Sequence, residues 1–469
     1  MNGMTADQVA AASGNASWML ISAALVLLMT PGLALFYGGL SPRKSVLNMM
    51  MMSFGALAVV TVVYVLWGWS ESYGSQNVAG LFSNPFEMFG LKDQITDADG
   101  NYLAGANGYA NVIDICFQLT FAAISTAIIS GALLGRVKFS TWLVFSAAWV
   151  TLVYFPLAHM VWGGGLLSGK PGSIAAGLYG ETDGAATIAP IDFAGGTVVH
   201  ISAGTAALAL AFIVGQRKNF PAHTERPHNL PFVMMGAALL WFGWFGFNAG
   251  SAFAANGKAG LAWINTTAAT AAALLGWLLV EKIRYKRPTS LGAASGLVAG
   301  LVAITPAAGD LTPFTSLILG AIGGVLACLG CGIKYRVGFD DSLDVVGVHL
   351  VAGLWGTIGL SFFATDKGIF TGGGADGWKL LSVQAIIALC SMLVSAIGTA
   401  IIALILKAAM GWRVADEDEY NGIDLAEHRE SAYELNTGFG SMTGLGLGDN
   451  HSGAHKGSTA TKISTEGVN

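Results

Sequence analysis

The sequence predicts an all-α polytopic membrane protein of eleven spanning helices, and three observations carry that prediction. Of 469 residues, 54% are hydrophobic and only 11% charged, against about 25% charged in an ordinary soluble domain. The mean hydropathy is +0.60, and apolar runs of about 20 residues, the length that crosses a bilayer, recur from end to end. A pattern V-H-x-x-A-G occurs twice, at Val199–Gly204 and Val348–Gly353. Each copy sets a histidine inside an apolar run, where an imidazole is costly and therefore marks function.

Taken in order, the spans fall at roughly residues 18–40, 46–68, 113–135, 140–162, 193–214, 231–253, 261–281, 289–307, 314–334, 345–364 and 381–407. The 64 glycines suit close helix contacts in lipid. Thirteen of the 23 Lys and Arg, from Arg43 and Lys44 to Lys334 and Arg336, fall in one set of alternate loops, and five fall in the other. The basic side faces the cytoplasm, so the N-terminus is expected outside and the C-terminus inside. No basic stretch precedes the first apolar run, and no cleaved signal peptide is expected. The two V-H-x-x-A-G copies lie on spans five and ten. Five is odd, so they cross the membrane in opposite senses. That is an inverted repeat, spans 1–5 against 6–10, with an eleventh helix added and the site between the halves.

The chain divides into an eleven-helix domain, residues 1–411, an arm at 412–435 and a Gly/Ser/Thr-rich tail at 436–469 that reads as disordered. The long outer loops, 69–112 and 163–192, carry no assigned function. The net charge of -5 is small and says little about partners; no nucleic acid is expected. Cys328 and Cys331 form a lone C-x-x-C with no second ligand pair. They read as packing residues, and no metal, cofactor or catalytic residue is expected.

Span three carries Phe117 and Phe121 at i and i+4, on one face. Span six carries Trp244, Phe247 and Ser251 at i, i+3 and i+7, read as one helical face, and span four ends in Trp162. From outside inward the chain offers Trp162, Phe117 and Ser251, then Phe121 and Phe247, then His200, then His349. A cation against such rings gains about 2 kcal/mol per desolvated contact, and a hydroxyl accepts a hydrogen bond from it. Below that point no carboxylate lines the path, so a bare ion faces a penalty of several kcal/mol. A metal ion would stall. Ammonium has another option: it can leave its proton behind and continue as neutral ammonia, which imidazoles serve as donor and acceptor.

The motifs F-Q-L-T-F-A (117–122), A-H-M-V-W-G-G-G (158–165), D-F-A-G-G-T-V-V-H (192–200), W-F-G-F-N-A-G-S (244–251) and D-V-V-G-V-H (344–349) resemble the Amt/MEP/Rh ammonium transporter family, more closely its bacterial Amt branch. The resemblance covers about residues 16–435. It implies an outer ammonium site at Phe117, Trp162 and Ser251, a phenyl gate at Phe121 and Phe247, and a hydrogen-bonded pore pair at His200 and His349. Asp192 is implied as a support beneath the site, with Gln118 and Asn248 in the same motifs. The resemblance further implies a homotrimer in the plasma membrane, one pore per subunit. Its arm pattern, from Trp412 through Glu417, Glu419, Asp424 and His428 to Tyr433, implies a docking place for a PII-type signal protein.

Plainer roles stand beside these. Trp162 suits an interfacial belt. Asp192 suits an N-cap, a role compatible with the functional one. Asp344 reads as an anchor and His428 as a solvated residue. Two further functions compete: an ammonium sensor, and a passive channel for ammonia or another neutral gas. A membrane-embedded enzyme is disfavoured, since no nucleophile–base pair or metal set stands out in the spans.

Overall fold

The computed structural model describes residues 6–218, 220–222 and 226–433; the tail expected to be disordered lies outside these residues. Among the described residues, eleven helices are long and apolar enough to cross a membrane: α1 Gln8–Leu40, α2 Arg43–Tyr73, α3 Asn111–Leu133, α4 Phe139–Val161, α5 Gly196–Val214, α6 Leu230–Ala249, α7 Gly257–Tyr285, α8 Ser290–Ala307, α9 Pro313–Val337, α10 Val346–Phe363 and α11 Gly374–Ala409.

Local chemistry fixes several starts. Asn229 and Asn256 accept N–H bonds from Phe232 and Ala259, and Thr289 accepts from Gly292. Helix α9 opens on a reciprocal Thr312–Thr315 cap with Pro313 in the first turn. These partners satisfy N–H groups that a helix end leaves bare.

The contacts repeat between halves. Helix α1 packs on α3 as α6 packs on α8, and α2 on α4 as α7 on α9. Helices α1 and α6 meet along the middle, and α5 meets α10. The closest of these contacts needs small residues. A Cβ on Gly320 or Gly324 of α9 would stand 2.2 or 2.1 Å from backbone oxygens of α7, so this G-x-x-x-G lets the two backbones touch. Residues up to Ala432 form one unit.

The expected span centres hold, but several ends move. Helix α5 begins at Gly196 and α6 stops at Ala249, which leaves Asp192 and Ser251 in turns outside the helices. Five helices contain a π-helical stretch, in which each hydrogen bond skips one extra residue. They are Tyr64–Gly68 in α2, Val150–Tyr154 in α4, Gly196–Ile201 in α5, Phe245–Ala249 in α6 and Val346–Val351 in α10.

At the end of the bundle opposite the aromatic cluster, residues 412–428 form an ordered arm with two short helices, α12 Asp416–Asn421 and α13 Ile423–His428. Asp424 accepts the N–H groups of Leu47 (3.0 Å) and Asn48 (2.8 Å), capping α2. Glu427 accepts from Phe139 N–H at 2.8 Å. Lys218 pairs with Asp416 at 2.7 Å, and Arg413 pairs with Glu419. His428, expected to be solvated, instead sits 3.0 Å from the Asn48 side-chain oxygen and against the Phe139 ring. Above the arm, the buried Arg136 guanidinium donates to the carbonyls of Ala132, Gly215 and Asp340 and to Ser342 Oγ. It joins three loops through one side chain.

Candidate functional site

The structure brings most of the expected residues into one column. Phe117 and Phe121, one turn apart on α3, have ring centroids 4.8 Å apart. The Phe121 ring stacks on Phe247 at 4.1 Å and 16°. Trp162, just past the end of α4, stands edge-on to Phe121 at 6.2 Å. Its indole N–H donates to the Asp192 carbonyl at 3.1 Å, which fixes the ring against the segment before α5. Ser251 Oγ donates to the Phe247 carbonyl at 2.8 Å, so its lone pairs remain for an incoming donor. Ser251 reaches this place through the π turn of α6 and the turn after it, not along the helical face the spacing suggested. A residue the sequence reading passed over, Phe253, lies edge-to-face on Phe117 at 5.7 Å.

Beneath the stacked phenyl rings lies His200, stacked on Trp244 at 5.5 Å and 14° and tilted against Phe247 at 6.0 Å. The Trp244 N–H is held by Thr305 Oγ1 at 2.9 Å. His349 Nδ1 lies 3.3 Å from His200 Nδ1. One ring must donate and the other accept across that pair. Both rings are buried, at 1% and 4% exposure. Between them and Phe247 is a cavity of about 10 Å³ lined otherwise by apolar side chains such as Leu33, Ile128 and Val298, with no carboxylate. On the far side of His349 a wider cavity of about 250 Å³ opens, with Ser295, Lys334 and Asp344 in its wall.

Two aspartates explain how the histidines are held. Each histidine rides on a six-residue π stretch, and each stretch starts on a carboxylate eight residues before its histidine. Asp192 accepts from the N–H groups of Gly195 (2.9 Å), Gly196 (2.5 Å), Thr197 (3.0 Å) and Val198 (3.4 Å) and from the Thr197 hydroxyl. Asp341 accepts from Val345 (3.0 Å) and Val346 (2.7 Å). Asp341 is thus the repeat mate of Asp192. The sequence reading attended to Asp344 instead, which is an anchor: it pairs with Lys334 at 2.8 Å. The equal eight-residue spacing was the available signal. Burial pushes the Asp192 carboxyl above the ordinary aspartate value, opposed by its donors. Burial pushes Asp341 up to about 6, against the pull of Lys334.

Asn248 is buried and donates to Thr266 Oγ1 at 2.9 Å, bracing the π turn of α6 on α7. Gln118 is buried beside Phe117, and its side-chain oxygen is given no hydrogen-bond partner among the described residues. Among these residues no cluster of His, Cys, Asp and Glu could hold a metal ion.

A membrane bundle of two inverted halves with a buried histidine pair between them is the architecture of a membrane transport protein. The Ammonium Transporter Family profile matches residues 17–433, and the chain belongs to that family. It is 49% identical to an ammonium transporter of Mycobacterium tuberculosis over 453 residues, 92% of each chain. It is 46% identical to one of Aquifex aeolicus, covering 90% of this chain and 94% of the relative. Among solved structures, a protein titled Sensor Amt Protein superposes with a TM-score of 0.78 at 28% identity, over 89% of this chain and 98% of that one. Candida albicans Mep2 superposes with a TM-score of 0.75, also at 28% identity, over 87% of each.

Proposed function

We propose that this chain is an ammonium transporter that gathers NH4+ at Trp162, Phe117 and Ser251, releases its proton near the Phe121–Phe247 gate, passes NH3 along His200 and His349, and carries the released proton across by a separate transfer. One observation carries the reading: the carboxylate-free cavity of about 10 Å³ between the stacked phenyl rings and the histidine pair. A space of that size holds about one water-sized molecule. A potassium ion entering it would lose its hydration shell with no countercharge to replace it. Ammonium sheds its charge by losing a proton, and the product fits the space and bonds to neutral imidazole. Asp192 supports the outer site through Trp162 and the α5 turn, Asn248 braces the gate helix α6 on α7, and Gln118 lies buried beside Phe117 on α3 as a further supporting residue. The relatives named ammonium transporters support the same substrate.

The family resemblance supports a homotrimer in the plasma membrane and a PII-type partner at the 412–435 arm. A second reading, an ammonium sensor, draws on the neighbour titled Sensor Amt Protein. Deleting residues 412–469 separates the two: lost signalling with intact uptake favours the sensor.

The test is current from purified protein in proteoliposomes during ammonium pulses, with potassium as control. A saturable current with ammonium and none with potassium is expected. Equal currents from both ions would overturn the reading, and internal alkalinisation without current would make the protein a passive ammonia channel. His200→Asp, which places a charge in the dry segment, is expected to admit potassium; unchanged discrimination would sink the role of the histidine pair.

A further inference from the structure

The geometry points to Phe253 as a specificity-determining wall of the outer site, one that narrows its entrance to ammonium and holds back methylated ammonium ions. The inference rests on the reading of Trp162, Phe117 and Ser251 as that site. Phe117 must be reached by a cation from outside, yet it has no exposed surface. A half-buried ring that lies on it is Phe253, edge-to-face at 5.7 Å and 80°. The turn that delivers this ring starts at Gly250, where a Cβ would stand 3.0 Å from the Phe117 ring. Bonds from Ser251 N–H to Asn248, Ala252 N–H to Ala249 and Phe253 N–H to Gly250 then wind the chain back on itself. So the hydroxyl that faces the cation and the ring that covers its aromatic partner come from one tight turn.

The backbone adds a second observation. Phe253 has φ 53, and it is the only aromatic residue at positive φ among the described residues. That region strains any residue with a Cβ, and glycine would occupy it freely. Strained residues persist where the surrounding structure holds them, and they gather at functional sites. The ring therefore stands at a position whose backbone favours glycine. A ring that overlies Phe117 fills volume next to the proposed cation position, and an added methyl group would compete with it for that volume. Discrimination by one methyl-sized group in an apolar pocket amounts to about tenfold or more.

The experiment measures two concentrations in the proteoliposome assay: ammonium for half-maximal current, and methylammonium for half-inhibition of that current. Phe253→Gly is expected to lower the ratio of methylammonium to ammonium concentrations about tenfold, with Phe253→Leu between the two. The thermal midpoint of Phe253→Gly is expected to stay near that of the parent, because relief of the backbone strain offsets the lost packing of the ring. A ratio unchanged in both variants would overturn the inference, as would a ratio that moves only in step with a fallen midpoint. Trp162→Leu serves as the reference. If it leaves ammonium half-saturation unchanged, the outer site itself is misassigned; if it raises half-saturation while the Phe253 variants keep the parental ratio, only the role of Phe253 fails.

Discussion

At the scale of single residues, function here depends on where a few polar groups find partners in an apolar interior. Asp192 is the clearest case. Its two oxygens take four backbone N–H groups and one hydroxyl, while Asp341 takes two N–H groups. An unsatisfied buried donor costs about 1–3 kcal/mol. Asp192→Ala is therefore expected to destabilise the protein by at least 3 kcal/mol, in order of magnitude, and Asp341→Ala by less. Thermal unfolding in detergent measures both, and a larger loss at Asp341 would refute the account. The histidines and phenyl rings were legible as residues because V-H-x-x-A-G recurs and polar atoms are rare in the spans. Asp341 was not, because a repeated carboxylate outside the shared hexapeptide shows only when the distance to each histidine is counted. The placing of Ser251 was also hidden, since its face depends on a π turn that periodicity does not register.

At the scale of elements, hydropathy located the centre of every span and misjudged several ends. The ends are set by caps and π turns, which change hydrogen bonding and leave composition untouched. A π turn adds one residue per turn and rotates everything beyond it relative to an α-helix. In α5 and α10 this rotation falls at the histidines themselves. The arm is the other element whose structure outran its sequence. The sequence marked off an arm there, but not that Asp424 would cap α2 from nearly the other end of the chain. Asp424→Ala removes that cap, at a cost of about 1 kcal/mol. Hydrogen exchange is expected to rise across residues 415–430 and at Leu47 and Asn48 together. A rise at one set alone would mean that arm and helix are not coupled through this carboxylate.

At the scale of the whole molecule, the inverted halves were readable from one arithmetic fact, that the repeats are an odd number of spans apart. The contacts bear it out, with α1 and α3 matched by α6 and α8 and α2 and α4 by α7 and α9. Direction in the membrane comes from the basic residues alone. With Arg43, Arg136, Arg217 and Lys334 all at the arm's end of the bundle, that end is expected in the cytoplasm. A phosphatase fused after Asn469, active only outside the membrane, is expected to be silent, and a fluorescent fusion there to be bright. The reverse pattern would invert the sidedness of the whole site.

The cavity beside the histidine pair, about 10 Å³, sets a limit on traffic. Channels of high throughput hold several ions in file, and each arrival pushes the one ahead. On the proposed route a space of that size has one place, so departure is not hurried by arrival. Crowding at the mouth fills the place more often but does not shorten the stay. Once the place is always occupied, a cell gains flux only by building more copies of the protein.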